Sequence, residues 1–380
     1  MESVNYIERS ISQSIKEACE FYPVILVTGP RQSGKSTLCS HLFPEYNMAN
    51  LEHPDKRMLA KNDIRGFMES LGEKAIIDEV QNVPDVLSAI QVAVDSDSRR
   101  KYVITGSCNF ALMKTIGQSL AGRVAIFNLL PLSLKELPKE NISAQANRII
   151  FDGFYPKVIA RGMNPSQYYG FYYETYVERD IRNLFNVRQI DKFDIAVRLL
   201  AGRAASEFNA SSLAVETGVT SPTISEWVNM LEASYIVFRL QPYYTNISKR
   251  LTKTPKIYFY DTGLMCYLLG IENATQLLTH PLRGAIFENM VVAELVKRRF
   301  NEGKRSNLSF YRENSGKEVD VVSGQGYDLD LFEIKASMSF HPDFLKNMNY
   351  LSSQIKGVRS ATLVYDGESM PPKILNFRDL

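Results

Sequence analysis

The chain has few residues of the kinds that build zinc sites or disulfide frameworks. It contains 4 Cys and 4 His among 380 residues, with no C-x-x-C pair and no H-x-x-x-H spacing. These absences argue against a structural zinc site and favour a reducing compartment. The N-terminus lacks a basic segment followed by an apolar one, and no apolar run approaches the roughly 20 residues of a membrane helix. We therefore expect a cytoplasmic protein without membrane association.

An excess of charge of either sign is also missing. The chain has 44 Lys and Arg against 42 Asp and Glu, and its net charge is +2. Such a balance provides no general attraction for nucleic acid, so any nucleic-acid surface would have to be a local patch. The candidate basic runs, for which solvated helix faces and loops are the simpler interpretation, are residues 99–101, 249–250 and 297–299.

A complete phosphate-loop pattern, G-x-x-x-x-G-K-[ST], follows directly after the apolar run 24–27. Its glycines let backbone N–H groups close on phosphate oxygens, and the next helix adds the positive end of its dipole. In this pattern Lys35 neutralises the β- and γ-phosphates and Ser36 ligates Mg²⁺. The sequence therefore predicts a nucleotide site made of Gly29, Pro30, Arg31, Gln32, Ser33, Gly34, Lys35, Ser36 and Thr37.

A second segment supplies the carboxylates that such a site needs. Residues 75–80 read Ala-Ile-Ile-Asp-Glu-Val, a buried strand ending in Asp78 and Glu79. Asp78 would hold the Mg²⁺ shell, and Glu79 would orient and polarise the attacking water. An acidic pair beginning an exposed turn is the plain alternative. Because a water-activating carboxylate suits hydrolysis, and no guanine-selecting motif follows the loop, the sequence favours ATP hydrolysis.

Two further positions are candidates for contact with the γ-phosphate. The predicted strand 102–105 runs into Gly106 and would bring Ser107 or Asn109 close as a polar sensor. Arg123 precedes the next predicted strand, where it would reach a neighbouring subunit's γ-phosphate as an arginine finger. Surface solvation is the alternative for Arg123. A finger acting in trans would make the protein a homo-oligomer.

The order of predicted elements indicates an α/β fold. Strands near 46–51, 75–77, 102–105 and 124–127 alternate with helices, one of them a charged helix over 56–71. This order predicts right-handed crossovers and a parallel sheet covered on both faces. A helical region follows. Its aromatic segment 168–173 is expected to pack in a core or an interface rather than to stack on bases.

Residues 211–228 have the helix, glycine-containing turn and proline-started second helix of a helix-turn-helix. The apolar segments 235–238 and 257–260 fit wing strands. The second helix, 222–232, contains two Glu and neither Lys nor Arg. Because a helix entering a DNA groove lies beside phosphates, we favour protein packing over DNA reading for this module.

Strand-like pieces near the C-terminus bring together carboxylates and a lysine. Asp320 lies in one piece, and Glu333 and Lys335 share a face of the next because side chains alternate along a strand. With Glu288 from the preceding helix, Asp320 and Glu333 would bind a divalent ion while Lys335 stabilises charge on a phosphodiester. An inward-facing salt bridge is the alternative. The pattern favours a nuclease-like fold more than it favours cleavage.

The chain resembles the bacterial and archaeal AAA-like ATPase family whose C-terminal region is known as DUF4143. The resemblance implies an ATPase with a winged helix and a terminal domain similar to PD-(D/E)xK nucleases, and little about the substrate. The acidic second helix departs from a DNA-reading winged helix. The motifs that carry the resemblance are residues 29–37, 77–81, 104–107, 120–123, 130–133, 176–181, 258–264, 284–289 and 332–335.

From these observations we predict four units: a P-loop AAA-like ATPase domain over 1–137, a helical lid over 138–190, a winged-helix-like module over 191–264 and a PD-(D/E)xK nuclease-like α/β domain over 265–380. The leading hypothesis is an ATPase using ATP and Mg²⁺ that couples nucleotide state to its C-terminal modules, with DNA as a candidate partner. One alternative is a nucleotide-dependent switch that binds protein partners. The other is an ATP-coupled nuclease.

Overall fold

The computed structural model of the protein describes residues 6–107, 116–117, 119–181, 189–243, 254–313, 316–324 and 328–380. In these ranges the helices are α1 Ser12–Phe21, α2 Lys35–Leu42, α3 Pro54–Asn62, α4 Ile64–Leu71, α5 Val86–Ser96, α6 Lys139–Ile142, α7 Ala146–Asp152, α8 Pro156–Arg161, α9 Pro165–Tyr172, α10 Ile190–Gly202, α11 Ala210–Thr217, α12 Ser221–Ala233, α13 Thr262–Leu268, α14 Arg283–Asn301 and α15 Lys346–Gln354. The strands are β1 Val24–Thr28, β2 Asn47–Asn50, β3 Lys74–Asp78, β4 Lys101–Gly106, β5 Val124–Asn128, β6 Ser206–Glu207, β7 Val237–Pro242, β8 Lys256–Phe259, β9 Leu308–Arg312, β10 Glu318–Ser323, β11 Leu329–Lys335, β12 Val358–Tyr365 and β13 Ile374–Asn376. Other helical segments are the π-helix Tyr173–Ile181 and the 3-10 turns Val80–Asn82, Leu134–Glu136, Ala274–Leu278, Pro342–Leu345 and Phe377–Asp379.

The first sheet has five parallel strands in the order β2-β3-β4-β1-β5. All of β1 is buried, and alternate residues face different cores, since Leu26 packs with α4 and α5 while Val27 packs with α2. The predicted α/β fold with a parallel sheet covered on both faces is confirmed. The connection after β1 leads to β2 at one edge of the sheet, and the connection after β4 leads to β5 on the other side of β1. Because the chain runs in opposite directions from this point, a ligand crevice is expected at the carboxyl end of β1.

The predicted single helix over 56–71 is wrong. The structure has two helices, α3 and α4, separated at Asp63. The Asp63 side chain accepts a hydrogen bond from the Gly66 N–H at 2.9 Å and so caps the start of α4. A short acidic side chain that satisfies a free N–H group favours beginning a new helix over continuing the old one.

The four tyrosines of the aromatic segment 168–173 pack inside the protein, as predicted, whereas Phe171 is 64% exposed. Tyr168, Tyr169, Tyr172 and Tyr173 are all buried in the largest hydrophobic core. The hydroxyls of Tyr155 and Tyr172 share a hydrogen bond of 2.7 Å. Their rings are therefore covered by other side chains and are closed to stacking with bases.

The second sheet joins two of the predicted units. Its strand order is β13-β12-β11-β10-β9-β7-β8-β6, and β7 of the winged-helix-like module pairs in parallel with β9 of the terminal region. The helices α11 and α12 of the predicted helix-turn-helix pack on the same core as α14. The winged-helix assignment and the boundary at 264/265 stay predictions, and the sheet is continuous across that boundary.

The basic runs have different surroundings. Arg99 is exposed and pairs with Glu73 and Asp97, whereas Lys297 is only 2% exposed, so the run 297–299 is not a continuous surface patch. The run 249–250 lies outside the described residues. Within the described ranges, the structure contains no helix long and apolar enough to cross a membrane.

Candidate nucleotide site

The phosphate loop is shaped by its two glycines. Gly29 has a φ of 151°, and a Cβ there would lie 2.1 Å from the carbonyl oxygen of Leu129. Gly34 has a φ of 95°, a left-handed conformation that begins α2. A side chain at either position would push the loop away from its neighbours or strain its backbone. The buried strand, the tight loop and the helix thus form as the motif predicts.

Lys35 is fixed inside this loop. Its ammonium group donates to the carbonyl oxygens of Gly29, at 3.0 Å, and Pro30, at 2.8 Å. The residue is 4% exposed. Burial lowers the pKa of Lys35, and the nearby carboxylates of Glu79 and Asp78 oppose that shift. An ammonium group has three donors, so one stays available for an anion such as a phosphate oxygen.

The predicted metal ligands meet at the ends of neighbouring elements. The Ser36 hydroxyl lies 2.8 Å from both carboxylate oxygens of Asp78. Thr105, at the end of β4, also donates to Asp78, whose side chain is buried. A hydroxyl beside a carboxylate fits Mg²⁺, which prefers oxygen ligands and usually combines one or two carboxylates with substrate phosphates.

Glu79 lies beside this pair with an unusual backbone. Its φ is 57°, in the left-handed region that is costly for a residue with a side chain. Gln81 donates to its carboxylate, and the Ser107 hydroxyl lies 3.4 Å from the same oxygen. Ser107 is therefore placed at the site, whereas Asn109 lies outside the described residues. The roles of Glu79 and Ser107 stay predictions, and sequence reasoning had missed Gln81 and Thr105.

Arg123 lies away from the phosphate loop of its own chain. Its guanidinium forms an ion pair with Asp95, with Nε to Oδ1 at 2.6 Å and Nη2 to Oδ2 at 2.9 Å. Val24 begins β1 beside Val124, so Arg123 is near the amino end of β1, about 16 Å of strand from the loop. The finger toward a neighbouring subunit stays a prediction.

The loop borders a cavity of about 670 Å³. One wall comes from the predicted nucleotide motif. Other walls come from residues outside the phosphate-loop motif, which are distant from it in the sequence. The lining residues outside the motif include Tyr6, Ile7, Arg9, Glu52, Leu132, Pro156, Lys157, Ala160 and Arg161. Lys157 and Arg161, on α8, add positive charge to the lining of this cavity.

The four residues of the predicted C-terminal site lie in one ionic network. Lys335 contacts Glu333 at 2.7 Å and Asp320 at 3.8 Å. Lys256, which sequence reasoning missed, pairs with Glu288 at 3.2 Å and also with Glu318. Among the described residues, no group of three or more His, Cys, Asp or Glu is arranged to hold a metal ion. The second metal site stays a prediction.

The carboxylates of this network hold protons tightly. Burial, together with the charge of Asp320, raises the pKa of Glu288 to about 7 and that of Glu333 to about 8. Burial also raises the pKa of Asp320 itself, against the effect of Lys335. The Oε2 atom of Glu333 is buried without a hydrogen-bond partner among the described residues. The network therefore contains excess buried acid even with two lysines in it.

Family models match three parts of the chain. An AAA domain covers residues 22–138, a domain of unknown function named DUF8612 covers 143–275, and DUF4143 covers 283–377. The chain therefore has the domain composition of the AAA-like ATPases with a C-terminal DUF4143 domain. This agreement confirms the predicted resemblance. The phosphate loop and both carboxylates, Asp78 and Glu79, lie within the matched AAA domain.

Curated relatives extend the likeness along the chain. The uncharacterized protein Rv2008c of Mycobacterium tuberculosis is 29% identical over 378 residues, which is 96% of this chain and 81% of that protein. The uncharacterized protein MJ1544 of Methanocaldococcus jannaschii is 24% identical over 345 residues, 80% of this chain and 73% of its own length. The likeness therefore includes the central and C-terminal regions as well as the AAA domain.

Solved structures with partial likeness include two ATPases of Pyrococcus. The Walker-type ATPase PABY2304 of Pyrococcus abyssi is 16% identical, with a TM-score of 0.43, and the match covers 69% of this chain and 96% of that one. The STAND protein with a tetratricopeptide repeat sensor, PH0952 of Pyrococcus horikoshii, is 11% identical, with a TM-score of 0.25 over 78% of this chain and 47% of that one.

Proposed function

We propose that this protein is an Mg²⁺-dependent ATPase. The observation that carries the proposal is the contact of the Ser36 hydroxyl with both carboxylate oxygens of Asp78, at 2.8 Å each. The two predicted metal ligands are 42 positions apart in the sequence, yet they meet beside Lys35. Such a meeting is what Mg²⁺ bound between a hydroxyl, a carboxylate and phosphate oxygens requires.

The chain's own residues divide the remaining tasks. Lys35 would hold the β- and γ-phosphates, and Ser36 and Asp78 would hold Mg²⁺, which supplies charge neutralisation on the phosphate oxygens when bound. Glu79 would accept a proton from the attacking water, while Gln81 and Ser107 restrict the orientation of its carboxylate. Hydrolysis requires these groups to be positioned more than it requires covalent chemistry by the protein.

The cavity supports a contribution from the helical region. Lys157 and Arg161 are exposed on α8 and line the cavity that the phosphate loop borders. The charged groups of Lys157 and Arg161 would lie close to a triphosphate bound in the same chain. Arg123 lies away from that site in its own chain. We therefore propose that closing of α8 toward the loop accompanies ATP binding and passes the nucleotide state to the central region.

Two substitutions test the enzymatic proposal. Lys35→Ala should abolish ATP binding, and Glu79→Gln should bind ATP without turning it over. Glu73→Gln is a matched control. Glu73 lies directly before β3 and Glu79 directly after it, and the Glu73 side chain is half-exposed. Phosphate release and binding of a fluorescent ATP analogue give the two measurements. Equal turnover by wild type and Glu79→Gln would remove Glu79 from this role.

A second candidate function is a nucleotide-dependent switch with a degenerate nuclease fold that binds protein partners. The specific observation in its favour is Lys256, whose ammonium pairs with the carboxylates of Glu288 and Glu318. A lysine in that position competes with a metal ion for the same oxygens. ATP turnover measured with and without single-stranded DNA, double-stranded DNA and RNA separates the candidates, since a DNA-coupled enzyme is stimulated and the switch is not.

A further inference from the structure

A buried arginine joins the phosphate loop to the chain that follows β5. The Arg9 guanidinium donates from Nη1 to the Ser33 carbonyl at 2.8 Å and from Nη2 to the Leu130 carbonyl at 2.6 Å. Arg9 is 6% exposed and lies outside every motif of the sequence. Because guanidinium donors have fixed directions, this contact sets the distance between the loop and segment 129–136.

The acid partner of Arg9 is itself held at several points. A carboxylate oxygen of Glu136 lies 3.2 Å from Arg9 Nε and accepts the Ser133 N–H at 2.9 Å. Its other oxygen accepts the Ser10 N–H at 2.6 Å. The pair therefore connects the N-terminal segment, the phosphate loop and segment 129–136 inside the protein. Breaking it would leave an uncompensated buried charge, so it resists rearrangement.

The DUF4143 region holds the same segment from its other side. Lys297, on α14, donates to the Leu132 carbonyl at 2.8 Å, and Glu294 accepts the Leu134 N–H at 2.9 Å. Both side chains are buried, and the Lys297 ammonium lies 3.7 Å from the centre of the Phe154 ring. Leu132 lines the nucleotide cavity. A helix of the C-terminal domain thus supports a wall of the candidate ATP site.

The phosphate loop meets the start of segment 129–136 at two points. Gly29 lies against the Leu129 carbonyl so closely that no Cβ fits between them, and Ser33 is tied to Leu130 through Arg9. A shift of the segment would therefore move the backbone N–H groups that bind phosphate. Donors that are in place before the ligand arrives bind it without a cost of reorganisation.

We propose that Arg9, Glu136, Glu294 and Lys297 are positioning residues of the nucleotide site, the last two contributed by the DUF4143 domain. They act on the phosphate loop through segment 129–136. The proposal rests on the proposed ATP-binding function, and it assigns to α14 a part in that function that no motif indicates.

Three variants test the proposal. Arg9→Lys keeps the charge but replaces the planar guanidinium, which donates to two carbonyl oxygens and pairs with Glu136, by a single ammonium group. The double variant Glu294→Gln with Lys297→Met removes both charges of α14 together, which avoids leaving one buried charge alone. Arg298→Met is the matched control, because its side chain on the same helix is 62% exposed. Thermal unfolding first shows which variants are folded.

The measurements are the Kd of a fluorescent ATP analogue and hydrogen exchange of residues 29–37 in nucleotide-free protein. We expect Arg9→Lys and the double variant to raise the Kd by about tenfold, the effect of losing one charged hydrogen bond, and to speed exchange in the loop. Arg298→Met should match wild type. A folded double variant with wild-type Kd and wild-type exchange would overturn the proposal.

The two proposals can fail separately. If wild-type protein binds no ATP, the proposed function fails, yet hydrogen exchange of the nucleotide-free loop still tests whether α14 positions it. If wild type binds and hydrolyses ATP while the folded variants behave like wild type in both measurements, only the positioning role is lost.

Discussion

Glu294 makes the positioning of segment 129–136 sensitive to pH. Burial raises its pKa from an ordinary 4.5 to about 7, with Lys297 and the Leu134 N–H opposing the shift. At pH values between 4.5 and 7, a carboxyl group with such a raised pKa binds more protons in the folded state than in the unfolded state. Its contribution to the free energy of unfolding is therefore greatest below pH 4.5 and decreases as pH rises through 7.

The size of the effect on stability follows from the rise in the pKa of Glu294. A tenfold change in proton affinity is worth about 1.4 kcal/mol, so ionising Glu294 in the folded protein costs roughly 3 kcal/mol by pH 8. Glu294→Gln removes the ionisable group but keeps a carbonyl oxygen for the Leu134 N–H. The stability of the variant relative to wild type should therefore be more favourable at pH 8 than at pH 5, by about 2 to 3 kcal/mol.

Urea denaturation of both proteins at pH 5 and pH 8 measures this difference directly. The comparison with wild type matters because Glu288 and Glu333 also have raised pKa values and weaken both proteins alike as pH rises. Glu69→Gln is the control, because the carboxylate it removes is on a side chain that is 65% exposed, and this variant should not gain stability over wild type at pH 8. A Glu294→Gln difference that is constant across pH, or larger at pH 5, would refute the reasoning.

Three other predictions concern single contacts. Gly29→Ala should lower the free energy of unfolding, measured by urea denaturation, by about 2 to 4 kcal/mol, because its Cβ would lie 2.1 Å from the Leu129 carbonyl oxygen. Gly162 has open space around it, so Gly162→Ala should lower the free energy of unfolding by only about 1 kcal/mol. Arg123→Ala should leave the unfolding midpoint unchanged. A loss of ATP turnover that depends on protein concentration would support an arginine finger acting in trans, whereas unchanged turnover would exclude that role for Arg123. If the C-terminal network cleaves DNA, the Mn²⁺- or Mg²⁺-dependent cleavage should disappear in Asp320→Ala. Cleavage that persists in this variant would contradict the nuclease role of Asp320. No cleavage by the wild-type protein would favour the nucleotide-dependent switch.

Local sequence was sufficient for the phosphate-binding half of the site. The motif 29–37 is contiguous, and the geometry of its strand, loop and helix follows from the identity of two glycines. Asp78 and Glu79 were identifiable because a buried parallel strand brings its carboxyl end to the same edge as the loop. The break at Asp63 was missed because capping competes with a helix pattern over a single residue.

The rest of the site depends on contacts between distant parts of the chain. Arg9 precedes the first strand, Lys157 lies in the helical region and Lys256 lies directly before the segment 257–260 that was read as a wing strand. None of them has a neighbour in sequence that reveals its role. Lys297 was read as part of a basic surface run, although its charge is buried and satisfied by a carbonyl, Glu294 and an aromatic ring. The sequence of a segment gives its charge, but whether that charge lies on the surface or is paired in the core depends on the burial of each side chain.

The helix α14 gives the two halves of the protein a common support. Near its start Glu288 enters the C-terminal ionic network through Lys256 and Tyr258, and nine residues later Lys297 holds the wall of the nucleotide cavity, about 13 Å away along the helix. Because both ends carry buried charges that need their partners, the helix cannot slide or rotate without breaking contacts at one site or the other. A free-energy coupling between segment 129–136 and Glu288 through this helix would be reciprocal, so that a ligand at either site would change the affinity at the other by the same factor.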